Sequence, residues 1–285
     1  MKKTRIEAAI TLVLMAAVPV VIKFTAANTI TIGLFRLSLA AFLILLFLKP
    51  QRHIREIGKS MILPLVSIGV LFAMHWLTYF WSIKLATASI GILGMSSYGI
   101  HLIFLGWTIR HQKPGLYDFI ALTVAILGTY FIVPEFSLSN NTTLGLLLGI
   151  FSGLCFAILP ILHQQYQYIH EPLRIFSQFI FALLVFVFFI PWSNWHIQEV
   201  DWWALLYLAV FGTFIAHTLW VRVTTRLSTL VSSLIFYLIV PMTMVLSHFW
   251  LGETMPLEKV IGASLIVSGN VLSFYGRLMN VPDRG

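Results

Sequence analysis

Three observations predict an all-α membrane protein of ten transmembrane helices, built as two five-helix repeats inverted relative to one another. Of 285 residues, 59% are hydrophobic and 10% are charged, against about 45–50% and about 25% in soluble domains. Long apolar runs alternate with short polar breaks along the whole chain. A set of polar residues is also written twice: His75, Lys84, Thr87 and Pro114 return as His217, Arg226, Thr229 and Pro256, each 142 residues later. Self-similarity at half the length marks a duplicated architecture. Paired polar interruptions in two apolar halves point to a secondary carrier.

A second register supports the duplication. Val18-Pro19-Val20-Val21-Ile22-Lys23 is matched by Leu159-Pro160-Ile161-Leu162-His163, and Phe35 with Ala41 by Phe176 with Ala182, all at an offset of 141. A one-residue gap reconciles the two registers. The halves are then residues 1–136 and 137–285.

The elements follow from the apolar runs. A hydrocarbon core of about 30 Å takes about 20 residues per helix. In the first half, runs of that length lie near residues 6–23, 30–48, 61–83, 87–109 and 116–134. In the second half they lie near 144–162, 173–191, 203–221, 229–250 and 258–276. Ten spans leave only short connections and no room for a soluble domain. The runs lack the period-2 alternation of a membrane barrel.

The N-terminal Lys2-Lys3-Thr4-Arg5, with Ala26-Ala27 downstream, also resembles a signal peptide. The repeat argues against cleavage, which would remove the partner of the helix near 144–162. The net charge of +8 forms no nucleic-acid stripe, because the basic residues sit at the ends of apolar runs. Placing both termini in the cytoplasm puts fourteen of the eighteen Lys and Arg inside and leaves Lys23, Arg36, Lys84 and Lys259 outside or in the outer half. That is the positive-inside bias. With five spans per half, the second half is inverted, which places a substrate site at the interface of the halves near the midplane. Trp192, Trp195, Trp202 and Trp203 read as an interfacial belt. Cys155 is the single cysteine, so no intramolecular disulfide and no cysteine metal cluster is expected.

Several stretches resemble the EamA-type transporters of the drug/metabolite transporter superfamily. They are Pro19 to Lys23, Gly33-Leu34-Phe35-Arg36-Leu37 through Ala41, Tyr79-Phe80-Trp81-Ser82 through Leu85-Ala86-Thr87-Ala88-Ser89, and Pro241 with Leu251-Gly252-Glu253, Gly262 and Gly269. The resemblance spans nearly the whole chain. It implies ten helices in two repeats, both ends cytoplasmic, and export of small organic molecules across a bacterial cytoplasmic membrane. The first half departs from the pattern, with Gly99 and His111 where Pro241 and Glu253 stand in the second.

Polar groups in hydrocarbon are costly unless they face a cavity or a partner, so the embedded ones are the candidates for a substrate path. These are His75 and His217, expected as equivalent gate or path residues on opposite sides of the midplane, with Tyr79 and Trp220 about one turn away. Tyr98 with His101, and Ser233 with Tyr237, share helix faces and complete an aromatic-walled candidate pocket. Lys23, Arg36, Lys84 and Arg226 are candidates for attracting an anionic group or for interfacial anchoring. Pro19, Pro160 and Pro241 break the helical ladder and are candidate hinges. Asn270 reads as a helix cross-link.

No carboxylate falls at mid-depth, which disfavours proton relay through Asp or Glu. Facilitated diffusion or histidine coupling remains. No zinc helix, nucleophile elbow or phosphate loop is present, so no enzyme, cofactor or metal site is expected. The expected partners are a small-molecule substrate and the lipid bilayer, with no nucleic acid. Import by the same fold, a membrane enzyme and a partner in flipping lipid intermediates are the alternatives. The residues do not name the substrate.

Overall fold

The structure is a computed structural model that describes residues 2–110, 115–132, 137–227 and 229–279. Every regular element among the described residues is helical. The first half holds α1 (Lys2–Phe24), α2 (Thr29–Phe47), α3 (Lys59–Leu85), α4 (Ala88–Met95), α5 (Tyr98–Arg110) and α6 (Leu116–Ile132). The second holds α7 (Asn141–Gln165), α8 (Glu171–Val187), α9 (Glu199–Ala209), α10 (Ala216–Arg226), α11 (Thr229–Leu251) and α12 (Leu257–Met279). A π-turn, Val210–Ile215, joins α9 to α10. By length and composition, six helices among the described residues suffice to cross a membrane: Lys3–Phe24, Thr29–Phe47, Lys59–Leu85, Ala88–Ile109, Asn141–Gln165 and Glu199–Arg226. Leu116–Ile132 and Ile235–Leu251 are shorter apolar helices.

Two expected helices differ in detail. The run 87–109 is broken at Ser96 and Ser97 into α4 and α5. The Ser96 hydroxyl bonds back to the Leu93 carbonyl at 2.6 Å, a local bond that competes with the helical ladder. The run 203–221 starts earlier, at Glu199, because Gln198 and Asp201 form a capping box that satisfies the orphan N–H groups of the first turn. The π-turn holds one residue more than an α-turn, and it lies between Ala182 and His217, where the repeat register changes from 141 to 142.

The halves interlock rather than sit side by side. α7 packs between α3 and α4, as α1 packs between α10 and α11, while α2 faces α8 and α6 faces α12. Exchanging the halves maps this packing onto itself. Small residues set the closest approaches. A Cβ on Gly94 of α4 would lie 2.7 Å from the Leu146 carbonyl oxygen and 2.9 Å from the Gly149 Cα of α7, so only glycine lets these backbones meet.

The outside of the bundle is apolar, with Leu63, Phe104, Trp107, Phe188, Phe249 and Trp250 exposed, as lipid-facing surfaces require. Trp192, Trp195, Trp202 and Trp203 are exposed together near one end. The loops sort into two ends. One gathers Thr25, Lys84, Trp192, Asn194 and Asp201. The other gathers Glu7, His53, Glu56, His170, Glu171, Arg222 and Arg226.

A closed aromatic cavity between two latched ends

A cavity of about 30 Å³ lies at the centre of the bundle, among α1, α2, α3, α4, α7, α10 and α11. Its wall includes Arg36, His75, Trp76, Tyr79, Phe156, His217 and Phe236. A second cavity of about 10 Å³ adjoins it through Phe156 and His217, and is lined by Pro160, His163, Gln178 and Trp220. At about 10–15 Å³ per water, the pair has room for only a few waters, so this conformation is closed around its centre.

His75 is buried and fixed by α7. Its Nδ1 lies 2.7 Å from Ser152 Oγ, and the Ser152 hydroxyl donates to the His75 carbonyl at 3.1 Å. Ser152 therefore accepts from Nδ1–H, which leaves Nε2 of the neutral ring as an acceptor. The ring stacks on Tyr79, 5.8 Å between centroids, and tilts against Phe156 at 4.8 Å. His217 follows the π-turn and is held by rings, with Phe72 at 5.1 Å and Trp76 at 5.5 Å. Phe72 also touches His75 at 5.9 Å, so the two histidines share one aromatic cluster. Both line the same cavity.

Arg36 is fully buried. Its Nε donates to Thr213 Oγ1 at 2.8 Å and its Nη2 to the Gly212 carbonyl at 3.3 Å. Both partners belong to the π-turn. The Thr213 hydroxyl donates to the Leu208 carbonyl, which turns its lone pair toward Arg36. The guanidinium carbon sits 4.0 Å from the Trp76 ring centre and 5.0 Å from that of Phe80.

The other predicted residues take different places. Trp220 lines the smaller cavity and stacks on Phe156 at 5.8 Å. Tyr98 packs behind the wall, 5.4 Å from Phe156 and 5.3 Å from Phe236. His101 Nε2 lies 3.1 Å from both Ser97 Oγ and the Ile150 carbonyl, tying α5 to α7. Tyr237 donates to Asn270 Oδ1 at 2.9 Å, joining α11 to α12. The side chain of Ser233 lies outside the described residues, as do Pro114 and His111. Val18, beside Pro19, lines the main cavity, whereas Pro241 is exposed and faces a lateral groove of about 760 Å³ between α11 and α12.

Lys23 and Lys84 tie one end together. Lys23 Nζ donates to the carbonyls of Lys84 at 3.1 Å and Ala86 at 2.5 Å, capping the C-terminus of α3. Lys84 Nζ donates to the Thr25 carbonyl. Asp201 accepts from the Thr25 hydroxyl at 2.8 Å and the Ala26 N–H at 2.7 Å. Glu253 caps the N-terminus of α4 through the Ala88 N–H at 2.7 Å and the Ser89 hydroxyl at 2.5 Å. Burial alone would raise the Glu253 carboxyl's pKa, but Ser89, Lys259 and the two backbone donors outweigh it and hold it below the usual range.

The other end carries a matching contact. Gln164, which stands 141 residues after Lys23, donates to the Thr224 carbonyl at 2.7 Å and the Leu227 carbonyl at 3.4 Å, capping α10 as Lys23 caps α3. Arg226 pairs with Glu7 at 2.9 Å. His53, Glu56 and His170 join two loops at this end, with ligating atoms within 4.8 Å of one another. The hydrogen bond from His53, with that from His170, keeps the Glu56 carboxyl below its usual range.

Gln164, Ser152, Thr213 and the buried trio His163, Arg174 and Gln178 are not among the candidate site residues of the sequence, where His163 reads only as part of the repeat. His163 Nε2 meets Gln178 Oε1 at 2.8 Å and Arg174 Nη1 donates to the His163 carbonyl at 2.7 Å. The signal was available: Ser152, Arg174, Gln178 and Thr213 are polar residues in apolar runs, His163 and Gln164 directly follow one, and Gln164 occupies the repeat position of Lys23.

Fold and site define a polytopic membrane protein with a closed central cavity, the build of a small-molecule carrier. The EamA-like transporter family model matches residues 6–133 and again 143–275. The chain belongs to that family and is a membrane transporter. It is similar to the threonine/homoserine exporter RhtA of Salmonella typhimurium, 24% identical over 242 residues that cover 83% of this chain and 78% of that one. An uncharacterized transporter of Archaeoglobus fulgidus is 24% identical over 273 residues, covering 94% and 96%. One solved crystal structure superposes over 99% of this chain with a TM-score of 0.70 at 13% identity, a likeness of fold alone.

Proposed function

We propose that the protein exports small organic metabolites of amino-acid size across the bacterial cytoplasmic membrane by alternating access. The central cavity is its substrate site and the two latched ends are its gates. The observation that carries this is the cavity itself: aromatic, polar at a few points, and closed at once by repeat-related contacts, Lys23 on α3 and Gln164 on α10. A carrier caught between its two open states has this form.

The finer architecture is part of the same proposal. Residues 1–136 and 137–285 form inverted five-helix repeats, together ten spans, with α4 and α5 as one broken span and α9, the π-turn and α10 as another. Support comes from the exchange symmetry of the packing, from the family model matching twice, and from the π-turn at the register change. Both termini lie in the cytoplasm. Among the described residues, the inside-assigned segments around Glu7, Glu56, His170 and Arg226 gather at one end, which supports this orientation. Export and amino-acid size draw on the relative described as a threonine/homoserine exporter.

The test is the small-metabolite profile of the medium around cells overproducing the protein, beside cells with His75→Ala and His217→Ala at equal membrane abundance. Accumulation of one class outside, abolished by both substitutions, supports the proposal. Depletion of a compound from the medium refutes export.

A further inference from the structure

We propose that Arg36 receives a carboxylate of the transported molecule, so that the protein carries small organic acids or zwitterions in preference to the corresponding amides. This deepens the transport reading above and rests on the central cavity being the substrate's path.

A cation deep in a membrane span is held at high cost unless a partner neutralises it. Arg36 has none: among the described residues, no Asp or Glu forms an ion pair with it. Its partners are a hydroxyl, a carbonyl and two ring faces, all uncharged. Elsewhere Arg222, Arg226 and Lys259 each face a carboxylate.

The geometry also leaves a docking edge. Nε is held by Thr213 and Nη2 by Gly212, while Nη1 is buried with no partner among the described residues. Arg36 lines the cavity, so the open edge belongs to the site. A guanidinium edge accepts a carboxylate bidentately. An anchoring arginine would extend to the interface, whereas Arg36 is turned inward at zero exposure. Two ring faces and the π-turn hold the fork in place before a ligand arrives, so little ordering is needed on binding. Apart from His75, Tyr79 and His217, the rest of the wall, including Met15, Val18, Phe80 and Ile92, is apolar and suits a compact hydrocarbon body.

The experiment uses the purified full-length protein and two matched pairs of probes: butyrate with butyramide, and L-threonine with L-threoninamide. Binding is read by melting temperature and by tryptophan fluorescence, Trp76 lying under Arg36. The wild-type protein is expected to bind at least one carboxylate roughly 10- to 100-fold more tightly than its amide, the range of a charged hydrogen bond. Discrimination in both pairs indicates carboxylates in general. Discrimination with threonine alone indicates zwitterions. Arg36→Gln is expected to lose the preference and Arg36→Lys to keep part of it.

Equal binding of acid and amide, no binding of either acid, or an undiminished preference in Arg36→Gln overturns the proposal. If Arg36→Gln does not fold, the wild-type pairs decide alone. Counterflow in sealed vesicles separates the two levels. Exchange of the amides but not the acids sinks the role of Arg36 and leaves transport standing. Discrimination in binding without any exchange sinks transport and leaves the carboxylate site standing.

Discussion

Removing the Lys23 ammonium should open the cavity toward the end that carries the tryptophan belt. In the closed form Lys23 Nζ holds two carbonyls of the last turn of α3, Lys84 and Ala86, at 3.1 and 2.5 Å. Hydrogen bonds from a charged donor contribute about 1.5–3 kcal/mol each. Lys23 is itself only part-buried, and water reaches these carbonyls once the end parts, so the net loss is about 1–2 kcal/mol. That shifts the closed-to-open ratio roughly 5- to 30-fold. Gln164 holds α10 with a neutral amide, at 2.7 and 3.4 Å. Its loss should therefore move the opposite gate less, about 0.5–1.5 kcal/mol. The assay is the rate at which an impermeant thiol reagent modifies a cysteine at Val18, which lines the cavity, with Cys155→Ser as background. Lys23→Met should speed modification from the outside, and Gln164→Leu, to a smaller extent, from the inside. Unchanged rates in Lys23→Met, or acceleration from the wrong side, would refute the latch reasoning.

Three further outcomes are expected. Gly94→Ala places a Cβ against the Leu146 carbonyl and the Gly149 Cα. Neither backbone can yield cheaply, so it should cost about 1–3 kcal/mol, read as a lower melting temperature in detergent. Ser152→Ala removes the hydroxyl that holds His75 Nδ1 at 2.7 Å and leaves it only the longer contact to the residue 152 carbonyl at 3.3 Å, a loss of about 0.5–1.5 kcal/mol; a melting temperature equal to wild type would contradict it. Glu253 has a depressed folded pKa, so its contribution is present above the ordinary carboxylate range and is lost as pH falls through the depressed value. Acid melting series of the wild type and Glu253→Gln should therefore differ near neutral pH and converge only as pH falls through the depressed carboxyl pKa, below the ordinary carboxylate range.

The membrane fold was legible because lipid as a solvent leaves a coarse signature: long apolar runs and charges at their ends. The repeat was legible because Pro19 and Pro160, or His75 and His217, stand out against an apolar background. The change of offset from 141 to 142 was visible as a gap, but its form, a π-turn that presents Gly212 and Thr213 to Arg36, depends on backbone hydrogen bonding that no residue type announces. The candidate site was half legible. His75, Tyr79, His217 and Arg36 line the main cavity and Trp220 the smaller one, whereas His101 and Tyr237 cross-link helices. Sharing a helix face with another candidate residue does not say which neighbour that face meets. The capping role of Lys23 was hidden because helix-end lysines ordinarily reach water. What placed it on Lys84 and Ala86 is the approach of α1 to α3.

The most direct measurement is solute exchange in sealed vesicles by protein with a single cysteine at Met95, a cavity-lining position, in the Cys155→Ser background. Modification by a bulky thiol reagent should stop the exchange, and the exchanging solute should slow the modification. Exchange that continues at full rate after complete modification would contradict a path through the central cavity.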